Sequence, residues 1–150
     1  MMPSLQTARF DLPLLVTSQT QKEVTHNEAL VRIDALLHAV AADRIAAVPD
    51  LDDDATGKCW LIDDGATGEW SGKSGQLAIW VGSDWRFARP AEGMRVRLNA
   101  TGTDLVHVDG NWIAAPAIPD PAGGSTVDAE ARQAIKRLLD HFRSLGHVTR

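Results

Sequence analysis

The chain has no tyrosine, a single cysteine and only 5% aromatic residues among its 150. One cysteine, Cys59, excludes an intrachain disulfide framework and a cysteine-rich zinc site. It is expected to be a small, buried strand residue, as free cysteines usually are. Positive charge is also in deficit, with a formal net charge of −5. No basic stripe could displace counterions from phosphates, so nucleic acid is excluded as a partner. No apolar run is long enough to cross a bilayer, and a membrane is likewise not an expected partner. Residues 1–15 lack a basic segment followed by a long apolar core, the pattern of a signal peptide. Synthesis in the cytoplasm is the expectation.

The aromatic content that exists is concentrated in five tryptophans. Four of them, Trp60, Trp80, Trp85 and Trp112, lie beside apolar strand residues. Ile79-Trp-Val-Gly-Ser-Asp-Trp85-Arg-Phe-Ala-Arg-Pro90 and Val106-His-Val-Asp-Gly-Asn-Trp112-Ile-Ala-Ala-Pro116 follow one plan: apolar strand, Gly/Asp turn, Trp, Pro. Two such hairpins suggest a small antiparallel meander. Its tryptophans are either core anchors or, at Trp85 and Trp112, platforms that stack on a sugar ring.

The fold class expected is α+β, in five segments. Residues 1–17 form an extended apolar arm, since Pro13 opposes a helix or a central strand. Such an arm often docks on a neighbour. Residues 18–46 read as one helix, with Ser18 as N-cap and Gln21 in the capping-box position. Leu30, Ile33, Leu37 and Val40 give it a 3–4 spaced stripe. The alanines of Ala39-Val-Ala-Ala42 would let another helix approach closely, and Pro49 and the acidic residues 50–54 would follow its end.

Residues 56–116 form the antiparallel Trp/Gly-rich β domain. Within it Met94-Arg-Val-Arg-Leu98 alternates between a buried and a wet face. Residues 117–126 are a Pro/Gly/Ser linker. Residues 127–147 form an amphipathic docking helix, with Val127, Ala131, Ile135, Leu138, Leu139, Phe142 and Leu145 on one stripe. Ser125 and Asp128 resemble a capping box, and Gly146 is a natural stop.

No catalytic constellation, cofactor motif or metal set emerges. Gly68-Glu-Trp-Ser-Gly72-Lys73-Ser74 has one residue too few between its glycines for a phosphate-binding loop, and lies between strands. Glu23-Val-Thr-His26 has the Glu-x-x-His spacing of carboxylate-bridged metal sites. Such sites need a second copy and further carboxylates, which are missing. His26 and Asn27 read better as polar positions that fix register at a helix seam. Residues 50–54 lack the Gly and closing Glu of a calcium loop.

One segment carries a specific resemblance: Leu12-Pro-Leu-Leu-Val-Thr-Ser-Gln19-Thr-Gln21-Lys22-Glu23-Val-Thr25-His26-Asn27-Glu28-Ala29-Leu30. It resembles the opening of an uncharacterised domain family of tailed phages, prophages and gene transfer agents of alphaproteobacteria. Members begin Leu-Pro-Leu-Leu-x-x-x-Gln-x-Gln-Lys-Glu, then an aliphatic residue, then Thr-His-Asn-Glu-Ala. The similarity continues through Ala66-Thr-Gly-Glu-Trp70, Ile79-Trp80, Trp85-Arg-Phe87 and Pro90-Ala-Glu-Gly93.

The resemblance implies a non-enzymatic particle component associated with tail fibres or head spikes, and brings no catalytic residues. The arm and the two helices are surplus to a small sheet's needs, and with the resemblance they lead us to expect a homo-oligomer, ring or trimer, that meets a capsid or tail protein and a spike or fibre protein. The assembly surface would be Gln19, Gln21, Lys22, Glu23, His26, Asn27, Leu30, Ile33 and Leu37. Partner docking would fall to Ile135, Leu138 and Phe142. The alternative expectation is a carbohydrate-binding module using Trp85 and Trp112 on a capsule or cell-wall glycan.

Overall fold

A computed structural model describes residues 5–15, 22–125 and 127–149. The α+β class holds, with two helices and eight strands in two mixed sheets among the described residues. The first helix, α1 (Lys22–Leu36), ends ten residues before the boundary at 46 expected from the sequence. His38 turns the chain in the left-handed region (φ 50°). Val40–Ala41 (β1) and Arg44–Ile45 (β2) are then extended. The alanines at 39–42 therefore allow close approach of strands rather than of a second helix. Ala39 and Ala41 are buried between the sheets, where a larger side chain would force them apart.

The remaining strands are β3 (Cys59–Ile62), β4 (Leu77–Trp80), β5 (Trp85–Ala88), β6 (Arg95–Leu98), β7 (Thr103–Val108) and β8 (Asn111–Ala114). The expected single meander is two sheets, ordered β2-β3-β4-β5 and β1-β6-β7-β8. Each is a two-residue strand laid parallel to the first member of a three-stranded antiparallel meander. Each hairpin sets its Trp near the turn: Trp80 faces Trp85 in the closing pair of β4–β5, and His107 faces Trp112 one pair before the Val108–Asn111 closing pair of β7–β8. Their turns differ. Asp109 and Gly110 both have positive φ (49° and 78°), as a two-residue hairpin turn requires. Residues 81–84 close β4–β5 as a longer loop, with Val81 N–H donating to Asp84 O at 3.1 Å.

The sheet containing β3–β5 is the middle layer. One face, with Cys59, Leu61, Leu77, Ile79 and Ala88, packs on Val96, Leu98 and Leu105 of the other sheet. The opposite face, with Trp60, Ile62, Ala78 and Trp85, is closed by Trp70. Trp70 sits on a single 3-10 turn, Gly68–Trp70, and is fully buried. In the other sheet Val96 and Leu98 point inward and Arg95 outward, as their alternation predicts.

Trp85 is the hub of the second cluster. Its ring centroid lies 5.6 Å from that of Trp60 and 5.1 Å from those of Trp70 and Trp80. The Trp60 and Trp70 contacts are edge-to-face, the geometry that the aromatic quadrupole favours. Trp85→Ala removes three aromatic contacts and leaves a large cavity, so it should destabilise the fold by about 3–5 kcal/mol. Urea denaturation followed by far-UV dichroism checks this. A cost below about 1 kcal/mol would mean that the cluster does not carry the middle layer.

Candidate functional site

The described part of the N-terminal arm, expected to be extended, packs on its own chain. Residues 5–15 fold back on themselves, with Gln6 bridged to Pro13, Thr7 N–H donating to Leu12 O and Leu14 N–H to Leu5 O. The loop then docks on α1 of its own chain. Asp34, 3% exposed, accepts from the Thr7 hydroxyl at 2.7 Å and from the backbone N–H groups of Phe10 at 2.8 Å and Arg9 at 3.0 Å. The Arg9 guanidinium donates to the carbonyls of Asp34, Ala35, Leu37 and His38, which satisfies acceptors left over at the end of α1. Asn27 grips the other end of the loop, accepting from Leu15 N–H at 2.9 Å and donating to Leu15 O at 3.1 Å. Gly57 permits the crossing, since a Cβ there would lie 2.5 Å from that of Ala8.

Asp34 and Arg9 were not singled out by sequence reasoning. The available signal was an acidic residue inside an otherwise apolar helix turn, Ile33-Asp-Ala-Leu36. A lone acid on the inward face needs donors from elsewhere, because burying an unpaired carboxylate costs several kcal/mol.

The inward face of α1 carries Asp34 and Ala35, one residue on from the stripe read in the sequence. Ile33 and Leu37 are exposed, together with Val24 and Leu36, and Leu30 is half-buried. Ile33, Leu36 and Leu37 thus form an exposed apolar group at the end of α1, with Val24 on the opposite side of the helix, and Leu5, Phe10 and Leu15 of the arm are exposed as well. Of the polar candidates, Gln19 and Gln21 lie outside the described residues, as do Ser18 and the side chain of Lys22. Glu23 is half-buried and His26 exposed, while Asn27 serves the arm. Glu28 reaches Arg86 of β5 at 2.7 Å, tying α1 to the middle sheet. Arg86 also holds the Asp84 carboxyl below its usual range by hydrogen bonding. No group of three or more His, Cys, Asp or Glu among the described residues is placed to hold a metal.

An uncovered apolar stripe lies on α2 (Ala129–Ser144). Asp128 alone caps it, its carboxylate accepting from Ala131 N–H at 2.9 Å, so Ser125 has no capping part. Gly146 ends it as expected. Its N–H donates to Arg143 O and that of His147 to Phe142 O, the paired bonds of a Schellman stop. Gly146 also touches the sheet, where a Cβ would lie 2.7 Å from Gly102 O. Arg97 of β6 binds both Asp104 and Leu145 O, and Asp104 N–H donates to Gly146 O.

The linker is stitched to α2 as well, with Arg143 bound to Asp120 and to Ile118 O. Only Leu139 of the apolar stripe is buried. Ile135, Leu138, Phe142 and Leu145 remain 45, 58, 44 and 43% exposed.

Trp85, one of the two residues expected as a sugar platform, is a core residue. It is 6% exposed and ringed by other indoles. Trp112 is half-buried, and its indole N–H donates to Gly75 O at 2.8 Å, binding one sheet to the other. Cys59 is equally unavailable for chemistry, because burial pushes its thiol up to about 12.

The chain belongs to the family described as "Protein of unknown function (DUF2793)", which matches residues 26–113. The match spans α1 from His26 and both sheets as far as Ile113, and leaves out the arm and α2. No curated protein matches the chain.

Asp34→Ala should release the arm while sparing the sheets, at a cost on the order of 3 kcal/mol for hydrogen bonds made to a charged acceptor. Hydrogen exchange would show residues 5–15 losing protection while β3, β4, β6 and β7 keep theirs. Unchanged protection over 5–15 would mean that the arm is held by its apolar contacts instead.

Proposed function

We propose that this member of the family is a structural adaptor of a phage-like particle. It forms a homo-oligomer, a ring or trimer, that connects a spike or fibre to a capsid or tail. The observation that carries the reading is the exposed apolar stripe of α2, together with exposed Ile33, Leu36 and Leu37 at the end of α1, on a chain that has a well-formed core of its own. Exposed clusters of large apolar side chains mark interaction surfaces. The resemblance of residues 12–30 to phage and gene-transfer-agent proteins supplies the setting. No described helix is long and apolar enough to cross a membrane. In this reading the chain is made in the cytoplasm and assembled into the particle.

The work is binding. One face joins copies of the chain, and the other meets a different particle protein. A symmetric set of shallow contacts gains avidity that no single contact has.

The test is quantitative mass spectrometry of density-purified particles from a producing culture. Co-sedimentation at a low, fixed ratio to the capsid protein supports the adaptor, and the ratio gives the attachment point. Absence from intact particles removes it.

A further inference from the structure

The exposed apolar side chains of α2 fall on one regular spacing. Ala131, Ile135, Leu138, Phe142 and Leu145 are spaced 4, 3, 4 and 3 residues apart. That is the alternation of d and a positions in a heptad repeat, with a period of 3.5 residues. Every one of these positions is exposed in the single chain. Leu139, next to the seam at an e position, is the residue buried against the chain's own body. The helix is seated by its flank, and its seam is left open.

We propose that this seam is covered by α2 of a second copy of the chain, so that α2 is the self-association element of the oligomer. A 3.5-residue repeat meshes continuously with a helix carrying the same repeat. On α1 the same alternation is cut short: Leu30 is half-buried and Val40 lies in β1, so only the step from Ile33 to Leu37 is exposed, against four steps on α2. Charge agrees. Between residues 131 and 145 the e and g positions carry one formal charge, Arg132, and its guanidinium is turned to Gly123 O of the linker. No like charges would face each other across the seam.

A bilayer is the less suitable occupant, because a surface-seeking helix relies on attraction to anionic lipid and the chain carries a net charge of −5. Of the four cations on α2, Lys136 is paired with Asp120, and Arg143 with Asp120 and Asp140, while Arg132 and Arg137 have no carboxylate partner among the described residues.

Two heptads are short for a free peptide, which would lose its helix. In this chain the helix is already built: Asp128 caps its start, Gly146 its end, and Arg97 fixes it to the sheet. Ordering costs that weaken free peptides are therefore already met before association. The inference deepens the homo-oligomer part of the proposed function and does not depend on the particle. It assigns α2 to like copies, which leaves the end of α1 and the arm for the other particle protein.

The test is disulfide trapping of the purified full-length chain at pH 8 with a mild oxidant. Native Cys59 stays silent there, because it is buried with its thiol pushed up to about 12. Leu138→Cys places a thiol at the centre of the seam, and Arg137→Cys places one on the adjacent outward position. The expected result is a reducible covalent dimer from Leu138→Cys, formed at least about tenfold faster than from Arg137→Cys. Leu138→Asp should in parallel convert the oligomer to a monomer in light scattering, with the near-UV tryptophan spectrum unchanged.

Equal trapping rates, or an oligomer that survives Leu138→Asp, would place the contact elsewhere and overturn the seam while leaving the adaptor standing. A wild-type chain that is monomeric at every concentration would overturn both the seam and self-association. Flotation of monomers with vesicles containing anionic lipid would assign the face to a membrane and likewise overturn the inference. Particle co-sedimentation is decided separately, so the two readings fail in different experiments.

Discussion

One short stretch of backbone, residues 39–45, holds the two sheets together. Arg97 N–H donates to Ala39 O, Asn99 N–H to Ala41 O and Ala100 N–H to Ala42 O, all into the sheet of β6–β8. On the other side, Ala42 N–H donates to Cys59 O at 2.7 Å, Leu61 N–H to Asp43 O and Asp63 N–H to Ile45 O, into the sheet of β3–β5. Ala42 alone bonds to both. Each sheet begins on this segment, so their separation and relative register are fixed within seven residues. The end of α1 is fixed too, since only Leu37, His38 and Ala39 separate it from β1. The α1 face that meets the core, and the face that looks out, are consequences of that crossing.

What the sequence disclosed follows the range of the interactions involved. The hairpins were legible because a turn and its flanking strands are contiguous. The end of α2 was legible because Gly146 acts on the carbonyls of the turn just before it. The crossing was not. Alanine is the best helix former, and Ile33, Leu37 and Val40 keep a helical spacing across the true boundary. A two-residue strand has no period of its own to set against this. Its partners, Arg97 for Val40 and Leu61 for Arg44, are remote in sequence, and only tertiary pairing reveals them. The same locality explains why one meander was expected. Each hairpin looks alike from within, and nothing local says that β5 and β6 belong to different sheets.

The candidate surfaces were half legible for a related reason. Periodicity marks which residues of a helix are apolar, but not which of them the chain covers itself. Leu139 belonged to the same stripe as Leu138, yet the first is buried and the second is the most exposed of the α2 leucines. On α1 the inward position went to Asp34, a residue that hydropathy places outside. Its burial rests on donors from an arm 24–27 residues earlier. A polar residue can replace an apolar one in the core only when a second segment supplies its bonds, and pairing at that distance leaves no periodic trace.

Two sheets of like topology thus come to do different things. The β3–β5 sheet is buried on both faces and has no surface to offer beyond its edges and loops. The β6–β8 sheet keeps a wet outer face, where Arg97 and Asp104 stand opposite one another across the ladder. That pair seats the last turn of α2, so the helix is held by polar bonds at its end and by Leu139 at its flank. Polar seating of this kind fixes a helix in direction without consuming its apolar stripe. Had the stripe packed on an apolar sheet face, the helix would have been better buried and would have had nothing left to offer. The stability forgone in one chain is what remains available to a second.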